Sequence, residues 1–334
     1  MERIAIIGMG PLGASIGLGL KKAQLANTEI VGSSGDRDAL SRAMKMGAVD
    51  QTTMSLGAAI DGAQLLILDM PVADMEELLE AIGPILEEGC VVTDTSATKI
   101  PVMQWADQHL PRGISFVGGH PLPKKLPQTL DEAEASIFEG VDYCVIPSKS
   151  ADQRSVRTVV GLVERLGAKP LFLDLHEHDS YAAAMTYLPI VLSSAYVTAT
   201  TGSEAWRDMH RLAASEFSEF SRFASVDPAD NEAACLANPD ALVHWLDQMI
   251  AELYSYRNQI KERSDMLLEP FIKAWEARAR WEAGVVAEDN EPRTPSATES
   301  MASALVGTRL VERYREMTNK EKTRKSNLKY VRKK

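Results

Sequence analysis

Cysteine is scarce in this chain of 334 residues, which has only Cys90, Cys144 and Cys235. Their number is odd and their spacings are wide, so the sequence offers neither a disulfide framework nor the ligand spacing of a metal site. A reducing, cytoplasmic setting is the expectation. Basic charge is also in deficit, with 36 Lys and Arg against 47 Asp and Glu and a formal net charge of −11. Such a surface repels a phosphate backbone over most of its area, which excludes nucleic acid as the main partner and points to a small molecule. The opening stretch "MERIAIIGMG" lacks the basic region, long apolar run and small-residue cleavage site of a signal peptide. No internal repeat is visible. Apolar residues, by contrast, make up 45% of the chain, which excludes disorder of the whole and predicts two domains with separate cores.

One segment has no charge at all: Ser180 to Ser203, "SYAAAMTYLPIVLSSAYVTATTGS", runs for 24 residues. That is long enough to span a bilayer. Its centre, however, holds Pro189 among Ser, Thr and Tyr, and no aromatic or basic belts flank it. A helix buried between protein surfaces is the better reading, with no membrane partner.

Regular alternation of strand and helix signals organises the first half. "RIAIIG" is a continuous apolar run bounded by glycine, as a parallel strand covered on both faces requires. "GASIGLGLKKAQL" follows at helical spacing and "TEIVGSS" returns to strand character, closing a βαβ unit. Strands are then predicted at "AQLLILDMP", "CVVTDTS", "ISFVGG", "DYCVIPS" and "KPLFLD", with helices at "DALSRAMKMGA", "ADMEELLEAIGPIL" and "DQRSVRTVVGLVERLG". The fold class is therefore α/β: a doubly wound Rossmann-type domain over residues 1–174 followed by an all-helical domain over 175–285. Residues 286–334 read as a polar linker, a short amphipathic helix around "MASALVGTRLVERYREM" and a basic tail, solvated and without a defended purpose.

Gly8, Gly10 and Gly13 form "GMGPLG" between the first strand and the first helix, which is the context a GxGxxG motif needs. Such a loop lets the backbone approach a pyrophosphate, whose charge then sits at the helix N-terminus. Pro11 and Leu12 lie in the same loop, and Pro71 closes a later strand at the same sheet edge. At the end of the second strand, "VGSSGDRD" places Ser34 where an acid would bind the ribose 2′-hydroxyl of NAD and repel the 2′-phosphate of NADP. Ser33 and Ser34 can donate hydrogen bonds there, and Arg37 can pair with a phosphate. NADP is favoured over NAD.

Five stretches in order, "GMGPLGASIGLGL", "TDTSATK", "GGHPLPKK", "HEHD" and "WRDMHRLAAS", make the chain resemble the prephenate and arogenate dehydrogenase family of tyrosine biosynthesis over roughly residues 3–265. The resemblance implies NAD(P)-dependent oxidative decarboxylation of a ring alcohol. His120 then accepts the proton of the substrate hydroxyl, a task for which an unperturbed histidine is suited. Arg211 holds a substrate carboxylate through its planar fork. By the same resemblance Asp94 and Lys99 shape the loop beside the nicotinamide, with Asp94 counted among the cofactor contacts, and His178 and Asp179 make a structural polar contact.

Departures from the family pattern sit near the substrate. Ala97 stands where a serine is usual, flanked by Ser96 and Thr98; Tyr187 and Ile190 replace histidines; Lys124 and Lys125 are added after the GGHP stretch. Ser96, Thr98, Lys124 and Tyr187 are therefore the expected substrate contacts beside Arg211. An alternative substrate, a prephenate analogue with a 4-amino group, and a third reading as an inactive nucleotide-binding regulator remain open. The uncharged helix implies apolar surface that a monomer would expose, so a homodimer through the helical domain is expected.

Overall fold

The computed structural model describes residues 2–149 and 151–284. The polar linker, the amphipathic stretch and the basic tail expected over 286–334 lie outside the described residues. The chain separates into two compact units, one ending at Met249 and the other beginning at Ile250.

Eight strands form one sheet in the order β3-β2-β1-β4-β5-β6-β7-β8. They are β1 (Glu2–Ile7), β2 (Thr28–Ser33), β3 (Gln51–Thr53), β4 (Leu65–Leu68), β5 (Val91–Asp94), β6 (Ser115–Pro121), β7 (Asp142–Pro147) and β8 (Lys169–Phe172). All neighbours pair in parallel except β6 and β7, whose antiparallel ladder sets His120 opposite Cys144. Helices cover both faces. On one, α1 (Pro11–Lys22), α2 (Arg37–Lys45) and α6 (Gln153–Arg165) supply the covering helices; on the other, α3 (Leu56–Ile60), α4 (Val72–Ile82) and α5 (Ile100–His109) do so. Alternate residues of β1 and β4 serve the two cores: Ile4, Ile6 and Ile67 face the first, Ala5, Leu66 and Leu68 the second. This double burial is why these strands read as unbroken apolar runs. The order of strands turns back between β1 and β4, and the crevice beyond their carboxyl ends is where such sheets bind ligands.

After β8 the chain is helical: α7 (Leu175–Ala182), a π turn (Ala183–Tyr187) and α8 (Leu188–Thr201) run as one rod, followed by α9 (Trp206–Met209), α10 (Ser215–Ser221), α11 (Pro228–Ala237), α12 (Pro239–Lys261) and α13 (Leu268–Glu282). Pro189 accounts for the π turn. Lacking an N–H and crowding the carbonyl four residues back, it widens the turn before it, where the Leu188 N–H bonds to the Ala183 carbonyl. The rod Leu175–Thr201 is, among the described residues, the one helix long and apolar enough to cross a membrane, with mean hydropathy 1.3. Its first turns instead bury His178 and Asp179, and Ala182, Ala183, Tyr187 and Leu188 pack with Leu242 of α12 in a third core.

Three elements escaped the sequence patterns: β3, α3 and α5 are 3, 5 and 10 residues long. The first two are too short for periodicity to declare itself. Helix α5 opens with Pro101 directly behind a buried loop and takes its N-terminal partner from 79 and 80 residues away, which no local signal could reveal.

Close approach at the end of β6 makes one glycine indispensable. A Cβ on Gly119 would lie 2.5 Å from the Asp94 carbonyl oxygen and 2.9 Å from the Tyr143 ring. Gly119→Ala is expected to cost about 1–3 kcal/mol through overpacking and to shift the neighbouring His120. Urea unfolding checks the first effect and kcat the second; wild-type values for both would contradict the packing described.

Candidate active site

His120 is the penultimate residue of β6, at the carboxyl edge of the sheet, and is half-buried as a residue. Its Nδ1 lies 2.9 Å from Nε2 of His178, the rings meeting edge to face. His178 in turn sets its Nδ1 2.8 Å from Oδ1 of Asp179. The order of these contacts fixes the proton positions. An ionised carboxylate only accepts, so the Nδ1–H of His178 donates to Asp179, and its Nε2 is left as an acceptor. His120 must then donate from Nδ1, which leaves its Nε2 with an unprotonated lone pair in the neutral ring.

Asp179 does more than orient His178. It is buried, and it also accepts from the backbone N–H groups of Lys99 and Ile100, each at 2.8 Å, and from Thr98 Oγ1 at 3.2 Å. Those two amides are the start of α5. A carboxylate from α7 thus caps α5, meeting the positive end of its dipole and satisfying groups that no local side chain caps.

The loop between β5 and α5 is organised by a second buried charge cluster. Asp94 accepts from Gly119 N at 3.1 Å and Ser96 N at 3.1 Å, and it bonds the Ser96 hydroxyl and the Lys99 ammonium. Lys99 is fully buried; burial pulls its ammonium below the usual lysine range, and Asp94 opposes that fall. The charge is felt next door. His120 is held well below the ordinary histidine range by burial first, then by His178 and by the Lys99 cation. The expectation of an untuned histidine is corrected: its base form persists further into acid than a free imidazole's.

Several expected substrate contacts turn inward. The Ser96 hydroxyl is committed to Asp94, the Thr98 carbonyl and Lys99. Thr98 is fully buried against Asp179. Tyr187, 4% exposed, sits in the third core, its phenol pushed up by burial and bonded to Thr98. Asp94, expected at the cofactor, has both oxygens occupied inside the loop. These four build the site's wall, because a polar side chain behind a strand end must find partners when buried. Lys124 and Lys125 line a surface depression with Asp131, Glu132, Glu134 and Glu139, away from the histidines. Arg211 lies exposed on a single 3-10 turn, His210–Leu212, outside the hydrogen bonds of the His120 cluster. Ala97 packs against the third core, so that position offers no hydroxyl.

The glycine loop forms a cradle. Gly8 has φ +100°, and a Cβ there would lie 1.9 Å from the Asp69 carbonyl oxygen, so only glycine serves. Above Gly10, the N-cap of α1, a Cβ would meet nothing nearer than Asp69 Oδ2 at 3.9 Å, which leaves room for a phosphate at the helix start. Pro11 and Leu12 are half-buried in this loop, while Pro71 is exposed at the start of α4. At the end of β2, Ser33 is buried and its carbonyl accepts from Gly8 N at 2.8 Å. Ser34 Oγ accepts from Asp36 N, and the Asp36 carboxylate caps α2 through Asp38 N and Ala39 N, leaving Arg37 exposed beside Met54. A dinucleotide fits this donor set. Sequence reasoning missed Asp69, which accepts from Gly13 N at 2.7 Å and Thr95 Oγ1 at 2.6 Å beneath the loop. An acid in "LILDMP", closing a strand that should end at a phosphate site, was the available signal.

One nitrogen of each imidazole and Sγ of Cys144 lie within 4.8 Å of one another. Such a set suits a borderline-soft cation, but the Cys144 thiol is pushed up to about 11 by burial, and both imidazoles are already employed in the chain of hydrogen bonds. The geometry is that of a hydrogen-bonded chain running from Asp179 through His178 to His120.

A phosphate cradle at one end of the crevice and a histidine base at the same sheet edge define a Rossmann-type nucleotide-dependent dehydrogenase. Comparison with known proteins narrows this. The family model for the prephenate dehydrogenase nucleotide-binding domain matches residues 16–171, and the model for the prephenate dehydrogenase dimerization domain matches 174–273. The chain is 30% identical over 280 residues to prephenate dehydrogenase of Lactococcus lactis, covering 82% of this chain and 75% of that one. Its identity to the Bacillus subtilis prephenate dehydrogenase is 28% over 274 residues, covering 81% and 74%. Among solved structures, prephenate dehydrogenase from A. aeolicus in complex with hydroxyphenyl propionate and NAD+ superposes with TM-score 0.76 at 22% identity, covering 83% of this chain and 97% of that one. The chain belongs to the prephenate dehydrogenase family.

Two outcomes follow from the hydrogen-bonded histidines. Because His120 must be neutral to accept a proton and its pKa is lowered, kcat/KM should hold level as pH falls through 6.5 and decline only below it; an acid limb at or above 6.5 would contradict this. Asp179→Asn keeps the shape but turns an amide toward the α5 amides, so it should cost about 1–3 kcal/mol in urea unfolding. The same variant should lower kcat by roughly 10²-fold, since His178 loses its fixed tautomer.

Proposed function

We propose that the chain is an NAD(P)-dependent dehydrogenase that oxidises prephenate or arogenate with loss of carbon dioxide. The observation that carries this reading is the chain of contacts Asp179–His178–His120 at the carboxyl end of β6, from which we infer that a neutral His120 keeps Nε2 unprotonated. The nicotinamide, when bound, supplies the hydride acceptor. The protein's part is to move the proton. His120 Nε2 takes it from the ring hydroxyl as that carbon becomes a carbonyl, after which the ring expels its carboxylate as carbon dioxide and becomes aromatic. The cation formed on His120 is relayed through His178 to Asp179, whose charge offsets it. Burial first, then His178 and the Lys99 cation, keep His120 unprotonated beforehand and so ready it for the step.

Arg211 is assigned to a substrate carboxylate, since its exposed guanidinium can take one as a bidentate pair. For the cofactor we favour NADP: the end of β2 presents Ser34 where an acid would be expected, with Arg37 exposed beside it, and of the two acids that follow, Asp36 and Asp38, the Asp36 carboxylate is spent on capping α2. The amino analogue of prephenate is a second reading favoured by Ala97, whose position gives the substrate no hydroxyl. We assign the enzyme to the cytoplasm and to a homodimer through its helical domain. Large apolar side chains stand exposed on it, Met185 at 76% in the π turn and, in the second unit, Tyr254 at 60% and Trp281 at 71%. A monodisperse monomer in light scattering would count against the dimer.

Assay of the purified protein with prephenate, arogenate and the amino analogue, each with NAD and NADP, tests the reading. Turnover of one of the first two, with kcat/KM higher for NADP, is expected; turnover of neither contradicts it. His120→Asn should lower kcat by ~10²–10⁴-fold while leaving the cofactor Kd near wild type, and unchanged kcat would remove the mechanism.

A further inference from the structure

The acid beneath the glycine loop has no place in the chemistry above. Asp69 follows β4 directly and its side chain reaches under the start of α1, where Oδ2 takes the Gly13 N–H at 2.7 Å. Two negative charges of a pyrophosphate belong at that same helix start. A carboxylate here both occupies a donor and opposes the ligand. The conflict is resolved if the carboxyl carries a proton when the ligand is present.

The hydrogen bonds allow that. Ionised, Asp69 accepts from Thr95 Oγ1 on one oxygen and Gly13 N on the other. Protonated on Oδ1, it donates to Thr95 Oγ1 across the same 2.6 Å, and the Thr95 hydroxyl turns to the Leu68 carbonyl at 3.5 Å. Gly13 keeps its acceptor in both states. No cation opposes the change among the described residues: the glycine loop brings none, β5 brings Asp94, whose charge is met by Lys99, and β7 brings the Tyr143 phenol, which itself feels Asp69. Burial already pushes the Asp69 carboxyl above the usual carboxylate range in the free protein, and a ligand covering the loop would push it further.

We propose that Asp69 couples dinucleotide binding to the uptake of one proton, so that the neutral acid, held by Gly13 and Thr95, forms the floor of the pyrophosphate site. The inference rests on the dinucleotide reading of the loop. By linkage, affinity is independent of pH below the free-state pKa of Asp69 and falls between its free-state and bound-state pKa, by at most about tenfold per pH unit.

Titration calorimetry with NADH from pH 6 to 9, in buffers of different ionisation enthalpy, measures Kd and protons together; NADH carries no 2′-phosphate that titrates in this range. Wild type should take up close to one proton per NADH at the alkaline end, with Kd rising toward tenfold per unit. Asp69→Asn reproduces the neutral acid, with its amide donating to Thr95, and should bind NADH with no proton uptake, a flat Kd and tighter affinity at pH 9. Saturable binding without proton uptake in wild type, or a Kd slope that survives in Asp69→Asn, overturns the proposal and leaves the cofactor reading standing. No NADH or NADPH binding in wild type overturns both. The wild-type proton count needs no variant to fold.

Discussion

A single buried carboxylate ties the catalytic edge together. Asp179 lies on the first helix after the sheet, yet four donors from two directions converge on it: two α5 amides and the Thr98 hydroxyl from the sheet domain, and the His178 imidazole from its own helix. Burying an ionised carboxylate is costly unless its lone pairs are satisfied and an opposing field is present. Here the N-terminus of α5 provides both. The position of α7 against the sheet, the path of the loop 95–99 and the tautomer of His178 therefore depend on one another, and moving any of them leaves a charge without partners.

Around that anchor the site separates its charges by depth. Lys99 and Asp94 neutralise each other behind the Gly119 backbone, but the pair still biases its surroundings, since a cation beside His120 disfavours imidazolium. Burial does most of this, and the Asp179 charge reaches His120 through His178. Polar side chains that a reader of the sequence would hand to the substrate, Ser96, Thr98 and Tyr187, hold this arrangement in place.

How much of this the sequence discloses depends on how local each signal is. The apolar runs of β1, β4 and β5, the glycines of the first turn and the paired glycines before His120 each report a constraint that neighbouring residues impose, so the doubly wound sheet and its crevice are legible. Helix α5 is not, because its cap comes from Asp179 some 80 residues on. Nor does residue order tell which way a hydroxyl turns: "TDTSATK" names Ser96 and Thr98 as neighbours of the site, and only the fold shows them facing Asp94 and Asp179. The "HD" pair reads as a structural contact, and it is one, but its reach to His120 is a tertiary fact. Asp69 is likewise hidden, because its contacts with Gly13 and Thr95 lie 56 and 26 residues away along the chain.

The proposed proton transfer turns on which nitrogen of His120 is free. Nitrogen-15 NMR of histidine-labelled protein, with His120→Asn to assign the signal, reads both tautomer and titration directly. A neutral His120 protonated on Nδ1 at pH 7, with Nε2 bare and titrating only below pH 6.5, is the predicted result. Protonation on Nε2 at neutral pH, or a midpoint at or above that of free imidazole, would show that the relay does not run from Asp179 to His120.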